Sequence, residues 1–207
     1  MVTLPRQNNY EVAADRAWAR LLERPADDLR ALGAQPVRAA GAGRWALEVL
    51  DAQFEIDPAQ RTIALLGGGH VGTMWHILAL HYLLARLPVP QAARQITFEE
   101  IPDARGYAAP YNGRVISLFC ATVGRSRETL LAAAERLRAA PAQGGDLAFQ
   151  LQVFPHVPLD IVWYAGDTEL PAGAGFLYAD NIAAILDVED IVVMAERVVS
   201  RLRGKPW

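Results

Sequence analysis

The sequence predicts an α+β protein in which two groups of antiparallel strands pack with a central helix and several further helices. Residues 44–66 and 147–164 carry the apolar and polar alternation, or the uniformly apolar runs, that are typical of strands. The segments before, between and after them repeat their apolar residues at helical spacing. No strand–helix–strand unit recurs, so a parallel sheet is not predicted. We expect residues 1–207 to form a single domain.

A helical hairpin is predicted over about residues 9–33. The first helix covers residues 10–23, where apolar side chains recur every three or four positions, and Asn8 or Asn9 is its predicted N-cap. The second helix covers residues 26–32 and lies between a proline and a glycine, the usual start and stop signals.

An antiparallel meander is predicted over about residues 44–66. Trp45, Leu47 and Val49 alternate with polar or small residues, and the same pattern continues after them. The sequence Asp-Pro-Ala-Gln at residues 57–60 supplies a turn, so the pattern indicates three strands.

The middle of the chain, about residues 73–139, is predicted to be helical. Three glycines at residues 67–69 end the strand pattern, and a central helix follows over residues 73–87. Residues 110–123 and 126–139 are predicted to form two more helices, the second with Ser126 as N-cap.

A hairpin and C-terminal helices are predicted over about residues 147–203. The hairpin pairs residues 147–153 with residues 159–164. A short strand at residues 176–178 and a helix at residues 180–186 follow. The last helix, from Asp187 to Arg203, begins with acidic and ends with basic residues, as the helix dipole favours.

Composition excludes several classes of function. The net charge of -3 and the scattered arginines lack the basic surface that nucleic acids require, so no nucleic-acid partner is expected. The single cysteine, Cys120, rules out an iron–sulfur cluster or an all-cysteine zinc site within one chain. No apolar run is long enough to span a membrane, and residues 1–9 lack a signal peptide, so a soluble cytoplasmic protein is expected.

Two histidines lie on the predicted central helix. His76 and His81 are five residues apart, which turns them about 140° away from each other and prevents joint ligation of one metal. A core histidine bonded to a backbone carbonyl is the ordinary interpretation of each; the alternative is a histidine that lines a pocket or ligates a metal or haem axially on its own. His81 and Tyr82 are the stronger pocket candidates, because a buried imidazole there needs a polar partner to offset its desolvation.

Further candidate site residues lie near the C-terminal hairpin and in the helical middle. His156 and Trp163 are placed at the two ends of one strand, about 20 Å apart if that strand is fully extended. Asp167 and Glu169 form either an ordinary turn or a carboxylate pair for a cation or acid–base work. Tyr107 and Arg114 are further ligand-binding candidates. Arg114 shares a helix face with Tyr111, and this pair either binds an anionic group or is an ordinary surface pair. The glycine-rich segment 67–72 precedes a helix and is a weak candidate for anion binding beside an ordinary turn.

The order of several short motifs resembles the prokaryotic domain-of-unknown-function family 3786. The motifs are His81-Tyr82-Leu83-Leu84, residues 96–101, residues 154–158, residues 163–169 and the acidic-capped last helix. The resemblance covers about residues 10–202 and implies no known reaction. Members joined to iron–sulfur modules imply redox or corrinoid-type cofactor metabolism, but a lone Cys120 and a Leu170 in place of an aromatic residue depart from that pattern.

Three functional hypotheses follow. The leading one is a small-molecule or cofactor-binding protein with a pocket between the central helix and the sheets, lined by residues such as Trp75 and His81. The alternative is an enzyme that uses an Asp/Glu/His acid–base or cation site. A structural or interaction subunit, with homo-oligomerisation as its basis, is the third. No tightly held metal is expected, and the sequence names no cofactor.

Overall fold

The computed structural model describes residues 5–37 and 43–207, with side chains described from residue 14 onward in the first range. Residues 1–4 lie outside the described part. They belong to residues 1–9, for which the sequence predicts no signal peptide. The helices are α1 Pro5–Leu22, α2 Ala26–Ala31, α3 Thr73–Leu83, α4 Ala108–Tyr111, α5 Leu118–Ala121, α6 Arg127–Arg136 and α7 Val188–Leu202. A π-helical segment, Asn112–Ser117, connects α4 to α5.

Two antiparallel sheets complete the fold, which confirms the predicted α+β class. The strands are β1 Gln35–Pro36, β2 Trp45–Val49, β3 Ala52–Asp57, β4 Thr62–Leu65, β5 Gln95–Thr97, β6 Ala140–Pro141, β7 Leu147–Phe154, β8 Val157–Tyr164 and β9 Gly173–Ala179. One sheet has the order β1-β2-β3-β4 and the other has the order β5-β9-β8-β7-β6.

The first sheet is the predicted meander with a short edge strand added. Leu47 lies opposite Phe54, and Ile56 lies opposite Ile63, so these apolar side chains share one face. All four are buried. The alternation read from the sequence therefore assigns the buried face of this sheet correctly.

The predicted C-terminal hairpin forms the middle of the second sheet. β7 and β8 pair from Leu147 opposite Trp163 to Leu151 opposite Leu159. β9 then pairs with β8 on its other side. The strand at β9 is longer than the predicted residues 176–178, because its pairing continues along nearly the whole of β8.

Aromatic side chains pack between α3 and the two sheets, in the region where the sequence suggests a pocket. Tyr82 stacks on Phe154 with ring centroids 4.6 Å apart. Trp75 contacts Phe54 and Phe154 edge-on, each at 6.4 Å. These rings are in direct contact and form part of the core.

Several predicted boundaries are wrong. Asn8 and Asn9 lie inside α1, which begins at Pro5, a residue that the first turn of a helix accepts readily. The predicted helix over residues 180–186 is only a 3₁₀ turn at Ile182–Ala184. α3 ends at Leu83, before the predicted end at residue 87. Just beyond the helix, the carbonyl of Ala85 accepts a hydrogen bond from Arg24 Nη2 at 2.6 Å.

Residues 110–123 do not form the single α-helix that the sequence predicts. They contain α4, the π-helical segment and α5, and the described chain then passes through a 3₁₀ turn at Val123–Arg125. A π-helix admits one extra residue per turn, and that shift is invisible to a search for a period of 3.6.

Candidate functional site

A cleft of about 620 Å³ opens where the end of α3 meets the start of α7. The C-terminal part of α1 and the proline-containing loop after α3 form its other walls. Its lining residues are Arg20, His81, Leu84, Ala85, Arg86, Pro88, Pro90, Ala183, Ala184, Ile185, Leu186, Asp187 and Asp190. This size lies within the roughly 300–1,000 Å³ of ordinary ligand pockets.

A histidine–aspartate pair stands on the wall of the cleft. His81 lies in the last turn of α3, and Asp190 lies in the first turn of α7. Their Nδ1 and Oδ2 atoms are 2.7 Å apart. The side chains are 34% and 14% exposed, so the contact is shielded but reachable from solvent. Since Nδ1 is engaged by the carboxylate, Nε2 is the ring nitrogen left for a ligand.

The surroundings of His81 raise the pKa of its imidazole. The hydrogen bond to Asp190 is the largest cause, and the negative charges of Asp190 and Asp187 act in the same direction. Burial and the positive charge of Arg20 oppose it. At a given pH, His81 is therefore protonated to a greater extent than a free histidine. The protonated imidazole donates hydrogen bonds from both nitrogens.

Two arginines line the cleft beside this pair. Arg20 projects from α1 and Arg86 from the loop after α3, and both residues are exposed. Among residues whose side chains are described, neither guanidinium forms an ion pair. An arginine without a carboxylate partner keeps its five donors for water or for a ligand.

The cleft continues past Arg20 into a smaller hollow of about 290 Å³. Arg24 and Asp28 in its wall are paired at 3.4 Å, whereas Glu23 is exposed. Arg20 and Leu84 line both spaces, so they form the ridge between them. A ligand longer than the main cleft has room to extend into this hollow.

Three of the candidate residues predicted from the sequence pack in the core or at its edge. His76 packs edge-on against Trp18, with ring centroids 5.5 Å apart, and burial lowers the pKa of its imidazole. The hydroxyl of Tyr82 donates to the carbonyl of Leu32 at 2.7 Å. The indole nitrogen of Trp163 donates to the carbonyl of Gly124 at 2.8 Å. These side chains are held by the core or by its edge and do not line the cleft.

The predicted carboxylate pair does not form a site with a histidine. Oδ1 of Asp167 accepts hydrogen bonds from the amides of Glu169 and Leu170, both at 2.8 Å. This is the turn that the sequence offers as the alternative, and it lowers the pKa of Asp167. Glu169 is exposed, and His156 contacts the carbonyl of Ala31 through Nε2 at 2.8 Å.

Tyr107 and Arg114 also lie outside the cleft. Tyr107 is 39% exposed on the turn before α4. The Nε atom of Arg114 donates to Oε2 of Glu196 at 2.9 Å, so α7 supplies the anionic partner of this arginine.

Of the predicted candidates, the structure therefore places only His81 on the cleft. Asp190, Arg20 and Arg86 were missed. Asp190 belongs to the acidic first turn of the last helix, which the sequence explains through the helix dipole alone. A weak signal was present, since a buried imidazole at position 81 demands a polar partner and α7 carries one.

No group of three or more histidine, cysteine, aspartate or glutamate side chains capable of holding a metal occurs in the described part of the chain. Within the same residues, no helix has the length and apolar character needed to cross a membrane. The cleft instead offers imidazole, guanidinium and carboxylate groups, which suit hydrogen bonding and proton transfer.

Comparison with known proteins gives one match. The family model described as Domain of unknown function (DUF3786) matches residues 30–201. No curated protein and no solved structure matches the chain. The matched segment includes His81, Arg86 and Asp190, whereas Arg20 lies before it.

Proposed function

The chain belongs to the family of the Domain of unknown function (DUF3786). We propose that this member of the family is a binding module that holds a small molecule in the cleft between α3 and α7. The observation that carries the proposal is the His81–Asp190 contact of 2.7 Å in the wall of a 620 Å³ space. A solvated histidine on an ordinary surface needs no such partner.

The composition of the walls supports this proposal. Leu84, Ile185 and Leu186 give the cleft apolar surface, and the charged groups stand at a few defined positions. Ligand sites combine these features, because apolar walls supply binding energy and a few polar groups orient the ligand.

A second candidate function, acid–base catalysis in the same cleft, is favoured by the orientation of His81. A carboxylate bonded to one imidazole nitrogen fixes the tautomer and stabilises the imidazolium, so that the other nitrogen exchanges a proton with a substrate. In this form of the enzyme hypothesis, His81 and Asp190 take the acid–base role that the sequence suggests for Asp167 and Glu169. Turnover of a bound molecule that is lost in His81→Gln would select this function.

The binding proposal is tested by a thermal-shift screen of small metabolites and cofactors. We expect at least one compound to raise the melting temperature of the natural protein by several degrees and to have no such effect on His81→Gln. His70→Gln is the matched control, because His70 is exposed and does not line the cleft. The proposal is contradicted if every stabilising compound raises the melting temperature of the natural protein and of His81→Gln equally.

We further propose that the protein works in the cytoplasm and that it has no nucleic-acid partner. A net charge of -3 lacks the positive excess with which proteins bind phosphate backbones, and this supports the second part. An interaction subunit is the remaining alternative. Leu170, 68% exposed, and Tyr164, 52% exposed, provide apolar surface around the β8–β9 loop for self-association. Light scattering of the purified protein tests this, and a strict monomer at high concentration excludes it.

A further inference from the structure

We infer that the ligand of this cleft carries a small anionic group, a phosphate ester or a carboxylate, held by the guanidinium groups of Arg20 and Arg86 together with the imidazole of His81. The inference rests on the proposed function and adds the chemical class of the ligand. It follows from the charges that line the cleft and from which of them are already paired.

The cationic groups outnumber the acidic groups that remain available. Arg20 and Arg86 lie in no ion pair among the described side chains. Asp190 is engaged by His81 at 2.7 Å. Asp187 is the one other carboxylate in the described lining. With His81 protonated, three positive groups face two negative groups, and the excess charge is positive.

Asp187 opposes an anion less than an isolated carboxylate would. It is the N-cap residue of α7, a helix of 15 residues, and its side chain makes no capping hydrogen bond. The partial positive charge at the start of a helix offsets part of its negative charge. The first-turn amides of the same helix have no partner within the helix.

Among the described side chains, the hollow beside the cleft adds one acidic group and no further unpaired cation. With His81 protonated, three positive groups therefore stand against three negative groups over both spaces, and the positive excess is confined to the main cleft. Its charges are Arg20, Glu23, Arg24 and Asp28, of which Arg24 and Asp28 are paired. Glu23 therefore remains as the one acidic group there without an ion pair among the described side chains. Arg20 lines both spaces, so it is the one cation of the described lining that a ligand in either space has within reach.

Protonation of His81 ties the affinity for an anion to pH. The hydrogen bond that the imidazole donates to Asp190 raises its pKa, the charges of Asp190 and Asp187 act in the same direction, and the charge of Arg20 opposes them. Arg86 lies in the same cleft lining. A bound anion stabilises the protonated form further. Affinity is therefore greatest at pH values where His81 is charged and falls as pH rises through its pKa.

The inference is tested with four simple probes: inorganic phosphate, succinate, glycerol and choline. Each is titrated into the full chain at about pH 6 while the imidazole signals of His81 are followed by NMR. We expect phosphate, succinate or both to shift these signals in a saturable way, and we expect no saturable effect of glycerol or choline. The stronger of the two anions distinguishes a phosphate site from a carboxylate site.

Substitutions identify the groups responsible. Arg20→Gln combined with Arg86→Gln is expected to weaken anion binding at least tenfold, because charge-assisted hydrogen bonds are lost. Arg105→Gln is the matched control, since Arg105 is exposed and does not line the cleft, and it should change binding less than twofold. His81→Gln is expected to remove the pH dependence. If the double variant loses its fold, each single variant is measured, with an expected weakening of at least threefold.

Three results overturn the inference, and they differ in what they say about the cleft. In the first, the anions leave the His81 signals unchanged while a neutral compound from the thermal-shift screen binds in a His81-dependent manner. This result excludes an anionic ligand but leaves the proposed binding function intact. Anion binding that survives the loss of both arginines shows that the anion site lies elsewhere. Failure of every compound and every probe removes the binding function as well.

Discussion

At the scale of single residues, the proton on His81 is the most informative property of the cleft. Asp190 raises the pKa of its imidazole, and Asp187 does so at longer range. We expect Asp190→Asn to lower this pKa strongly, because burial then acts with little opposition. Asp187→Asn should lower it less. An NMR titration of the imidazole signals gives both values, and equal midpoints in the natural protein and Asp190→Asn would refute the assignment.

The same pair makes stability depend on pH in a defined direction. The folded-state pKa of His81 is raised above its unfolded value of 6.5. Its contribution to the free energy of unfolding is therefore fully present below about pH 6.5 and is lost as pH rises through the folded-state pKa. We expect the natural protein to have a higher free energy of unfolding than Asp190→Asn, and we expect this difference to be larger at pH 6 than at pH 9. Urea denaturation at the two pH values measures the difference, and a gap that widens with pH contradicts the assignment.

The hydroxyl of Tyr82, which does not line the cleft, is expected to contribute to stability. It donates to the carbonyl of Leu32 at 2.7 Å in the interior. Tyr82→Phe leaves that buried carbonyl without this donor, which is expected to cost about 1–3 kcal/mol. Tyr164→Phe is the control, because Tyr164 is 52% exposed and should change stability by less than about 0.5 kcal/mol. Urea denaturation compares them, and equal losses would show that the hydrogen bond is unimportant.

The sequence identifies His81 but not the residue that it contacts. His81 and Asp190 are 109 positions apart, and no local pattern links them. Apolar neighbours on the helix predict that the imidazole is shielded, and physical chemistry then demands a partner. Which acidic residue supplies it depends on how α3 and α7 cross, and that geometry is set by packing across the whole core.

At the scale of secondary structure, the β7–β8 hairpin depends on a glycine outside both strands. Gly145 has φ +55°, and a Cβ atom there would overlap the carbonyl oxygen of Trp163. That carbonyl already accepts the amide of Asp146 at 2.9 Å, so it is not free to move. The loop before β7 therefore requires glycine at this position.

We expect Gly145→Ala to lower the free energy of unfolding by about 2 kcal/mol or more, from left-handed backbone strain and the steric overlap together. Gly173→Ala is the matched control, because a Cβ at Gly173 meets nothing within 4 Å. It should change stability by less than about 1 kcal/mol. Thermal unfolding of the two variants checks the pair, and similar losses in both would rule out the overlap as the cause.

Elements with a simple period were predictable, and elements with a broken period were not. The alternation in β2 and β3 and the amphipathic pattern of α7 gave both the element and its buried face. The π-helical segment Asn112–Ser117 has no such period. The short strands β1, β5 and β6 have two or three residues each, and they exist because a neighbouring strand offers an edge.

At the scale of the whole molecule, both sheets share one continuous core. The cluster of buried apolar side chains includes Leu47 and Phe54 from the first sheet and Phe154 and Ile161 from the second. The amide of Leu50 donates to the carbonyl of Val153 at 3.3 Å, which joins the two sheets directly. We propose on this basis that the two sheets unfold together as one domain.

Helix α1 supplies the test of this proposal, because it precedes residues 30–201 that match the family model. Trp18 is 4% exposed and belongs to the shared core. Trp18→Ala is expected to cost about 3–5 kcal/mol. If the core is one cooperative unit, this loss lowers the protection of amides in β3 and in β8 equally, as measured by native-state hydrogen exchange.

Leu22→Ala is the control on the same helix, since Leu22 is 61% exposed and its loss should leave the protection of both strands almost unchanged. A different outcome for Trp18→Ala, in which amides of β3 lose protection while those of β8 keep it, would show that the sheets open independently and that the single-domain proposal is wrong. Equal loss in both strands would also mean that α1 stabilises the framework that brings His81 and Asp190 together, although Arg20 is its only residue in the described cleft lining.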